Sequence, residues 1–402
     1  MINSSSGHAM SPDSSHHGDT VAAASRDALD ERLKFNGDNS FHRELRRRVE
    51  AEFKRSGTRQ RDSAQMYLKT AIILVTFALT YAALVFFAVT WWQSLPLAIV
   101  LGMATAAIGF NIMHDGGHQA YSEHRGINRL MALALDMVGG SSYIWQWKHA
   151  RFHHTWVNVA GHDSDIDLGV LGRLSPLQPR RSWHRWQHIY LWPLYGVTAI
   201  RWHLYGDFRD MITGTVGERP FTRPRGRDLA GFVIGKLVFF TLAFGLPLLF
   251  HPIGTVLLFY AVVSAVAGVL LALVFQMAHV VEEAAFPVPD ETGRQMATPW
   301  AIHQLETTVN FARGNRVLGW LIGGLNFQVE HHLFPRISHV HYPLVARVVE
   351  DTCREFGVTY REHRTFGAGI ASHYRLLRRL GRPVAAISSG SAVLLPEPML
   401  HN

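Results

Sequence analysis

Charged residues vanish from two stretches of the chain. No Asp, Glu, Lys or Arg occurs from Thr70 to His114, nor from Leu237 to Val281. A helix needs about 20 apolar residues to cross the hydrocarbon core of a bilayer, so each stretch is long enough for two crossings and a tight turn. The turns are marked. Trp91-Trp92-Gln93-Ser94-Leu95-Pro96 interrupts the first run, and His251-Pro252-Ile253-Gly254 interrupts the second. Proline breaks helices, and tryptophan favours the membrane interface. The pattern predicts spans at approximately 67–90, 95–114, 229–250 and 254–279, paired as two hairpins. The alternative is a hairpin buried in a large soluble core, but soluble helices seldom run this far without a polar face. Lys236, near the start of the third span, is expected to snorkel to the interface. The expected fold is an all-α integral membrane protein.

Neither turn carries a Lys or Arg, whereas Arg43, Arg46, Arg47, Arg48, Arg55, Arg59 and Arg61 crowd the approach to the first span. The positive-inside rule then places both termini and the 115–228 loop in the cytoplasm. This orientation accounts for the surplus of 39 Lys and Arg over 31 Asp and Glu, a net charge of +8. No nucleic-acid motif competes for it, so no nucleic-acid partner is expected. Residues 1–40 are polar and rich in Ser and His, without the apolar core of a signal peptide. They are expected to be disordered, 41–382 to form the folded domain, and 383–402 to be a loose tail. The single cysteine, Cys353, excludes a disulfide scaffold and any multi-cysteine metal site.

The unusual count is 24 histidines. The first hairpin ends at His114-Asp115-Gly116-Gly117-His118, and i and i+4 share a helix face. His149 and His153 repeat that spacing, with His154 beside them. The second hairpin ends at His279, and Gln328-Val329-Glu330-His331-His332 follows. All four clusters fall at or beyond the cytoplasmic ends of spans, which two antiparallel hairpins bring together. Neutral imidazole ligates iron, zinc or copper, and this many donors suit two metals better than one tetrahedral site. Among the other histidines, His184, His188 and His203 recur with Trp183, Trp186, Trp192 and Trp202, the pattern of an amphipathic interfacial helix. His42, His363 and His373 belong to surface segments or tails, His162 to a loop; His124, His303, His339 and His341 are left open. Asp115, Asn158, Asp163 and Glu330 are candidates to orient ligand imidazoles, while Glu282 and Glu283 read as a solvated helix end.

The boxes His114/His118, His149/His153/His154 and Gln328/His331/His332 resemble those of the membrane fatty acid desaturases. Gln328, opening the third box, resembles the front-end branch, whose members insert a double bond between an existing one and the carboxyl end. Tyr143-Ile144-Trp145-Gln146-Trp147-Lys148-His149 and Gly161-His162-Asp163-Ser164-Asp165-Ile166-Asp167 resemble its bacterial linoleoyl-CoA members. The resemblance implies four spans with a cytosolic helical cap holding two iron ions. The implied ligands are His114, His118, His149, His153, His154, His279, Gln328, His331 and His332. An Asn one turn before the fourth-span histidine joins the site in acyl-CoA members; here Phe275 stands there, beside Gln276.

The resemblance also implies O₂ as co-substrate and a long-chain acyl substrate, as CoA thioester or lipid, handled at a bacterial inner membrane. The first 66 residues lack a His-Pro-Gly-Gly haem motif, so electrons are expected from a separate donor: ferredoxin, flavodoxin, or cytochrome b5 with its reductase. Apolar stretches 101–110 and 261–274 are candidates to line an acyl tunnel. Arg173, Arg180, Arg181, Arg223, Arg225 and Arg227 are candidates for a CoA phosphate. The nearest rival function is a hydroxylase or other monooxygenase with the same site. A metal transporter would need ligands near the bilayer midplane, whereas here only His251 lies on the opposite face.

Overall fold

The computed structural model describes residues 33–383. The expected disordered segment 1–40 thus lies outside the described residues up to 32, and the expected tail lies outside them from 384. Residues 33–40 depart from the expectation. Leu33 is buried, and β1 (Lys34–Phe35) pairs in parallel with a strand near residue 295.

Helix α1 (Ser40–Ser56) buries Phe41, Leu45, Val49 and Phe53, one residue per turn on a single face. Four helices are long and apolar enough to cross a membrane: α2 (Ala64–Phe87), α3 (Trp91–Gly117), and, after the cap segments below, Arg227–Leu249 and Ile253–His279. The second span begins earlier than its expected start at 95. The Gln93 Oε1 accepts from the backbone N–H groups of Val89 and Thr90, which starts the helix at Trp91 and leaves Pro96 inside it.

Between α3 and the third span lies the first half of the cap. It contains α4 (Gln146–His153), wound as a π-helix, then α5 (Gln187–Tyr195), α6 (Val197–Arg201) and α7 (Asp207–Thr213). This region exposes Trp183, Trp186, Ile189, Val197, Leu204 and Tyr205 while burying Leu191, Tyr195 and Ala199. Such two-faced segments lie along a membrane interface.

The spans α8 (Arg227–Leu249) and α9 (Ile253–His279) form the second hairpin. The second half of the cap runs β2 (Gln295–Met296), which pairs with β1, then α10 (Trp300–Thr307), β3 (Asn310–Phe311), α11 (Gln328–Leu333), α12 (Tyr342–Phe356), β4 (Glu362–His363), and α13 (Phe366–Leu380). Strands β3 and β4 pair in parallel. Helices build the fold; strand is confined, among the described residues, to three two-stranded pairs.

The hairpin turns meet at the end away from the histidines. The Phe86 and Phe250 rings stand 5.1 Å apart, and the His251 Nε2 lies 2.7 Å from the Val85 carbonyl oxygen. Small residues let the spans approach. A Cβ on Gly102 would meet Val266 at 2.7 Å and the Val263 carbonyl at 2.8 Å, so α3 lies backbone-close to α9. On another side of α9, a Cβ on Gly268 would meet the Tyr195 carbonyl at 2.7 Å. Without a hydrophobic drive between helices in lipid, close packing at small residues supplies the attraction.

Lys236 does not snorkel. It is buried, and its Nζ donates to the Gly139 carbonyl and the Asp207 carboxylate, each at 2.7 Å. A paired carboxylate inside the protein replaces the water that snorkelling would have sought. Two stability tests follow. Lys236→Met strands Asp207 in the interior and should destabilise the detergent-solubilised protein by about 3–5 kcal/mol. Gly102→Ala should cost about 1–3 kcal/mol through overpacking. Thermal unfolding of both variants measures this, and wild-type stability in either would contradict the packing described.

Candidate metal centre

The helix ends opposite the hairpin turns carry the histidines. His114 follows a π-helical segment, Ile108–Met113, inside α3. His279 is the last residue of α9. π-Turns inside longer helices are frequent at functional sites. α4 shows the effect of that winding. Its i+5 bonding puts His149 and His154 on one side, with their Nε2 atoms 3.2 Å apart. His153 still stacks on His149, with ring centroids 5.1 Å apart, as their i,i+4 spacing leads one to expect, while its donor atom groups with His279 and His332.

Two sets of imidazoles result. Donor atoms of His114, His118, His149 and His331 lie within 4.8 Å of one another, as do those of His153, His279 and His332. His154 links the sets, grouping with His331 and His332; its ring stacks on His332 at 4.3 Å. The His279 and His332 Nε2 atoms are 3.2 Å apart. Gln328 is buried at the start of α11, one turn before His331 and His332. Phe275 packs its ring 5.0 Å from both His153 and His279, so an apolar wall occupies the place where the resemblance implied a polar side chain.

Most of these rings are held from behind. The His153 Nδ1 lies 3.0 Å from Asp163 Oδ2, which also accepts from the Asn158 backbone N–H. The Asn158 Nδ2 donates to the His279 carbonyl, and His279 Nδ1 faces the Thr307 carbonyl at 3.2 Å. His331 Nδ1 faces the Tyr342 hydroxyl at 3.1 Å, and His332 Nδ1 faces Gln304 Oε1 at 3.0 Å. His149 Nδ1 lies 3.8 Å from Asp165, whose other oxygen pairs with Lys148. A partner on Nδ1 fixes ring and tautomer and leaves the Nε2 lone pair for a metal.

The free nitrogens fit that role. The Nε2 atoms of His118, His153 and His331 and the Nδ1 of His154 are buried without a hydrogen-bond partner, although buried polar atoms are nearly always satisfied. Burial, reinforced by neighbouring imidazoles, holds His118, His154, His331 and His332 well below the usual histidine range. Burial also lowers His149. For His153 burial acts the same way, but the Asp163 carboxylate reverses it and raises the ring. His118, His149, His154, His331 and His332 are thus held as neutral imidazoles, the form that binds metal.

Several other sequence readings change. Asp115 faces His339 and Ser338, and Glu330 accepts from Asn310 and Tyr360; neither orients a ring of the two sets. Burial pushes Glu330 up to about 7. Glu283 is not simply solvated, since it pairs with His363 at 3.1 Å and accepts from Ser372. Arg173 is buried, and its guanidinium is consumed by the carbonyls of Pro176, Gln178 and Leu380, which removes it as a phosphate ligand. His303 packs on Phe35, and His162 lies near Trp156. Gln304, Tyr342, Thr307 and Asp165 were missed. Only Asp165 had a signal, its place in the acidic run Asp163–Asp167.

An apolar cavity of about 480 Å³ lies among the spans. Its lining includes Leu101 and Thr105 from the expected stretch 101–110, and Val263, Ser264 and Ala267 from 261–274.

Known proteins are similar to this chain in sequence. It is 39% identical over 353 residues to the sn-1 linoleoyl-lipid 6-desaturase of Synechocystis, covering 88% of this chain and 98% of that one. The protein of the same description from Arthrospira platensis is 36% identical, with 87% and 95% covered. An acyl-lipid (8-3)-desaturase of Physcomitrium patens is 36% identical, with 85% and 72% covered. The family model described as fatty acid desaturase matches residues 90–364. An integral membrane chain with buried imidazoles gathered at one end of its spans, it belongs to the fatty acid desaturase family.

Proposed function

We propose that the protein is a di-iron front-end desaturase acting on long-chain acyl groups of membrane lipids. It uses O₂ and two electrons to place a cis double bond on the carboxyl side of an existing one. The observation that carries this reading is the meeting of two imidazole sets at the head of the spans, in a chain similar over most of its length to acyl-lipid desaturases. One iron is assigned to His114, His118, His149 and His331, the other to His153, His279 and His332, with His154 between them and Gln328 beside α11.

Bound iron with O₂ supplies an oxidant able to take hydrogen from an unactivated methylene, which no side chain provides. The protein's own residues do the rest. Asp163, Gln304, Tyr342 and the Thr307 carbonyl hold ligand rings in place before any substrate arrives. Burial of the rings excludes bulk water, which protects reactive species from side reactions. The cavity among the spans takes the acyl tail, and the depth to which the tail threads fixes the carbon presented for reaction. The positive-inside rule orients the site toward the cytoplasm of a bacterial inner membrane. Electrons come from a separate ferredoxin, flavodoxin or cytochrome b5.

Expression in a host lacking polyunsaturated lipids, fed linoleate, tests the function by gas chromatography and mass spectrometry. The account predicts loss of two hydrogens and a new double bond on the carboxyl side. A bond on the methyl side overturns the front-end assignment, and gain of one oxygen makes the protein a hydroxylase. His118→Ala, His153→Ala and His332→Ala should each lower bound iron and abolish product; full activity in any of them refutes that ligand. Asp163→Asn, acting through His153, should weaken iron retention against a chelator or lower turnover about 10–100-fold.

A further inference from the structure

The two imidazole sets are braced in different ways. Every ring of the second set has an acceptor facing its Nδ1: Asp163 for His153, the Thr307 carbonyl for His279 and Gln304 for His332. In the first set only His331 has a hydrogen-bond partner on Nδ1, the Tyr342 hydroxyl. Asp165 stands 3.8 Å from the His149 Nδ1, too far for a hydrogen bond, and its other oxygen is taken by Lys148. Among the described residues no hydrogen bond reaches the His114 or His118 ring.

What His114, His118 and His149 share is Trp145. Its indole stacks on His149 at 4.7 Å and 27°, and meets His118 edge-on at 5.0 Å and His114 edge-on at 5.7 Å. Aromatic rings attract at these separations and angles. Trp145 touches no ring of the second set among the described residues. The indole is itself held. It closes a short helical turn, Ser142–Trp145, in which the Ser141 hydroxyl oxygen accepts from the Ile144 backbone N–H. It is buried against Ile108, Ile112, Met113, Leu135 and Val138. Gly117, the last residue of α3, makes room for it. A Cβ there would run into the Trp145 ring. Gly117 does not have the positive φ that would call for glycine on backbone grounds, so space for the indole is its reason.

We propose that Trp145 is the positioning residue of the first iron, with its indole doing for His114, His118 and His149 what Nδ1 acceptors do for the second set. This rests on the di-iron reading above. The indole nitrogen is a donor only, so Trp145 acts through the three rings and never as a ligand. Gly117 serves the same end by leaving the indole its place.

The test counts iron per chain in the full-length, iron-loaded protein after equilibration with a ferrous chelator strong enough to strip a site weakened about 10–100-fold, the usual cost of losing a group that orients a ligand. The wild type should keep two irons and Trp145→Leu one. Trp145→Phe, which keeps a ring to stack on His149, should keep two. Gly117→Ala, which displaces the indole, should match Trp145→Leu, and carries the same prediction should Trp145→Leu not fold. Double variants assign the iron that is lost. Trp145→Leu with His149→Ala should still keep one iron, because both changes strike the first site. Trp145→Leu with His332→Ala should keep none. Two irons in both Trp145→Leu and Gly117→Ala overturn the proposal. So does loss of both irons in Trp145→Leu alone, one iron left in the His332→Ala double variant, or a Trp145→Phe protein no better than Trp145→Leu. A wild type that binds other than two irons would instead strike the di-iron reading itself.

Discussion

Eight imidazoles crowded together disfavour charge on one another, and the fold is arranged around that constraint. Charged rings at these distances would repel, and burial makes each charge costlier still. Neutral rings solve one problem and create another, because each carries a lone pair that a dry interior must satisfy. The protein addresses the Nδ1 side itself with Asp163, Thr307, Tyr342 and Gln304. The lone pairs left over converge in two places. Metal ions bound there would satisfy the remaining lone pairs at once, and on that reading the unpartnered nitrogens of His118, His153, His154 and His331 are intelligible together and puzzling singly.

The membrane part serves this arrangement by fixing helix ends. Contact of the two hairpin turns through Phe86, Phe250 and His251 sets the spans side by side at one end. Close approach at Gly102 locks α3 to α9, and so brings His114 and His279 to the same level at the other. Gly268 seats α5 and α6 against α9, closing the cap over the third side. The Lys236–Asp207 pair ties α8 to that same cap segment.

Much of this was legible in the sequence because it follows from periodicity and solvent chemistry. Two uncharged runs broken by Pro and Trp can form only hairpins in a bilayer, and histidines at the ends of those hairpins must meet. What was not legible depends on winding and on distant partners. A helical wheel assumes i+4 neighbours, so it matched the stacked rings of His149 and His153 but not the i+5 pairing of His149 with His154 that π-winding adds in α4. Pro96 looked like a boundary, although Gln93 starts the helix before it. Gln304 and Tyr342 carry no local mark of their role, because their partners His332 and His331 lie on a different helix. Lys236 seemed bound for the interface because its carboxylate, Asp207, sits in another segment. Leu33 and β1 were read as tail, since two residues of strand leave no periodic trace.

Anomalous X-ray scattering at the iron edge from crystals of the purified protein tests the central claim most directly. The account predicts two peaks, one among His114, His118, His149 and His331 and one among His153, His279 and His332. A single peak, peaks away from these rings, or signal at the zinc edge instead would contradict it.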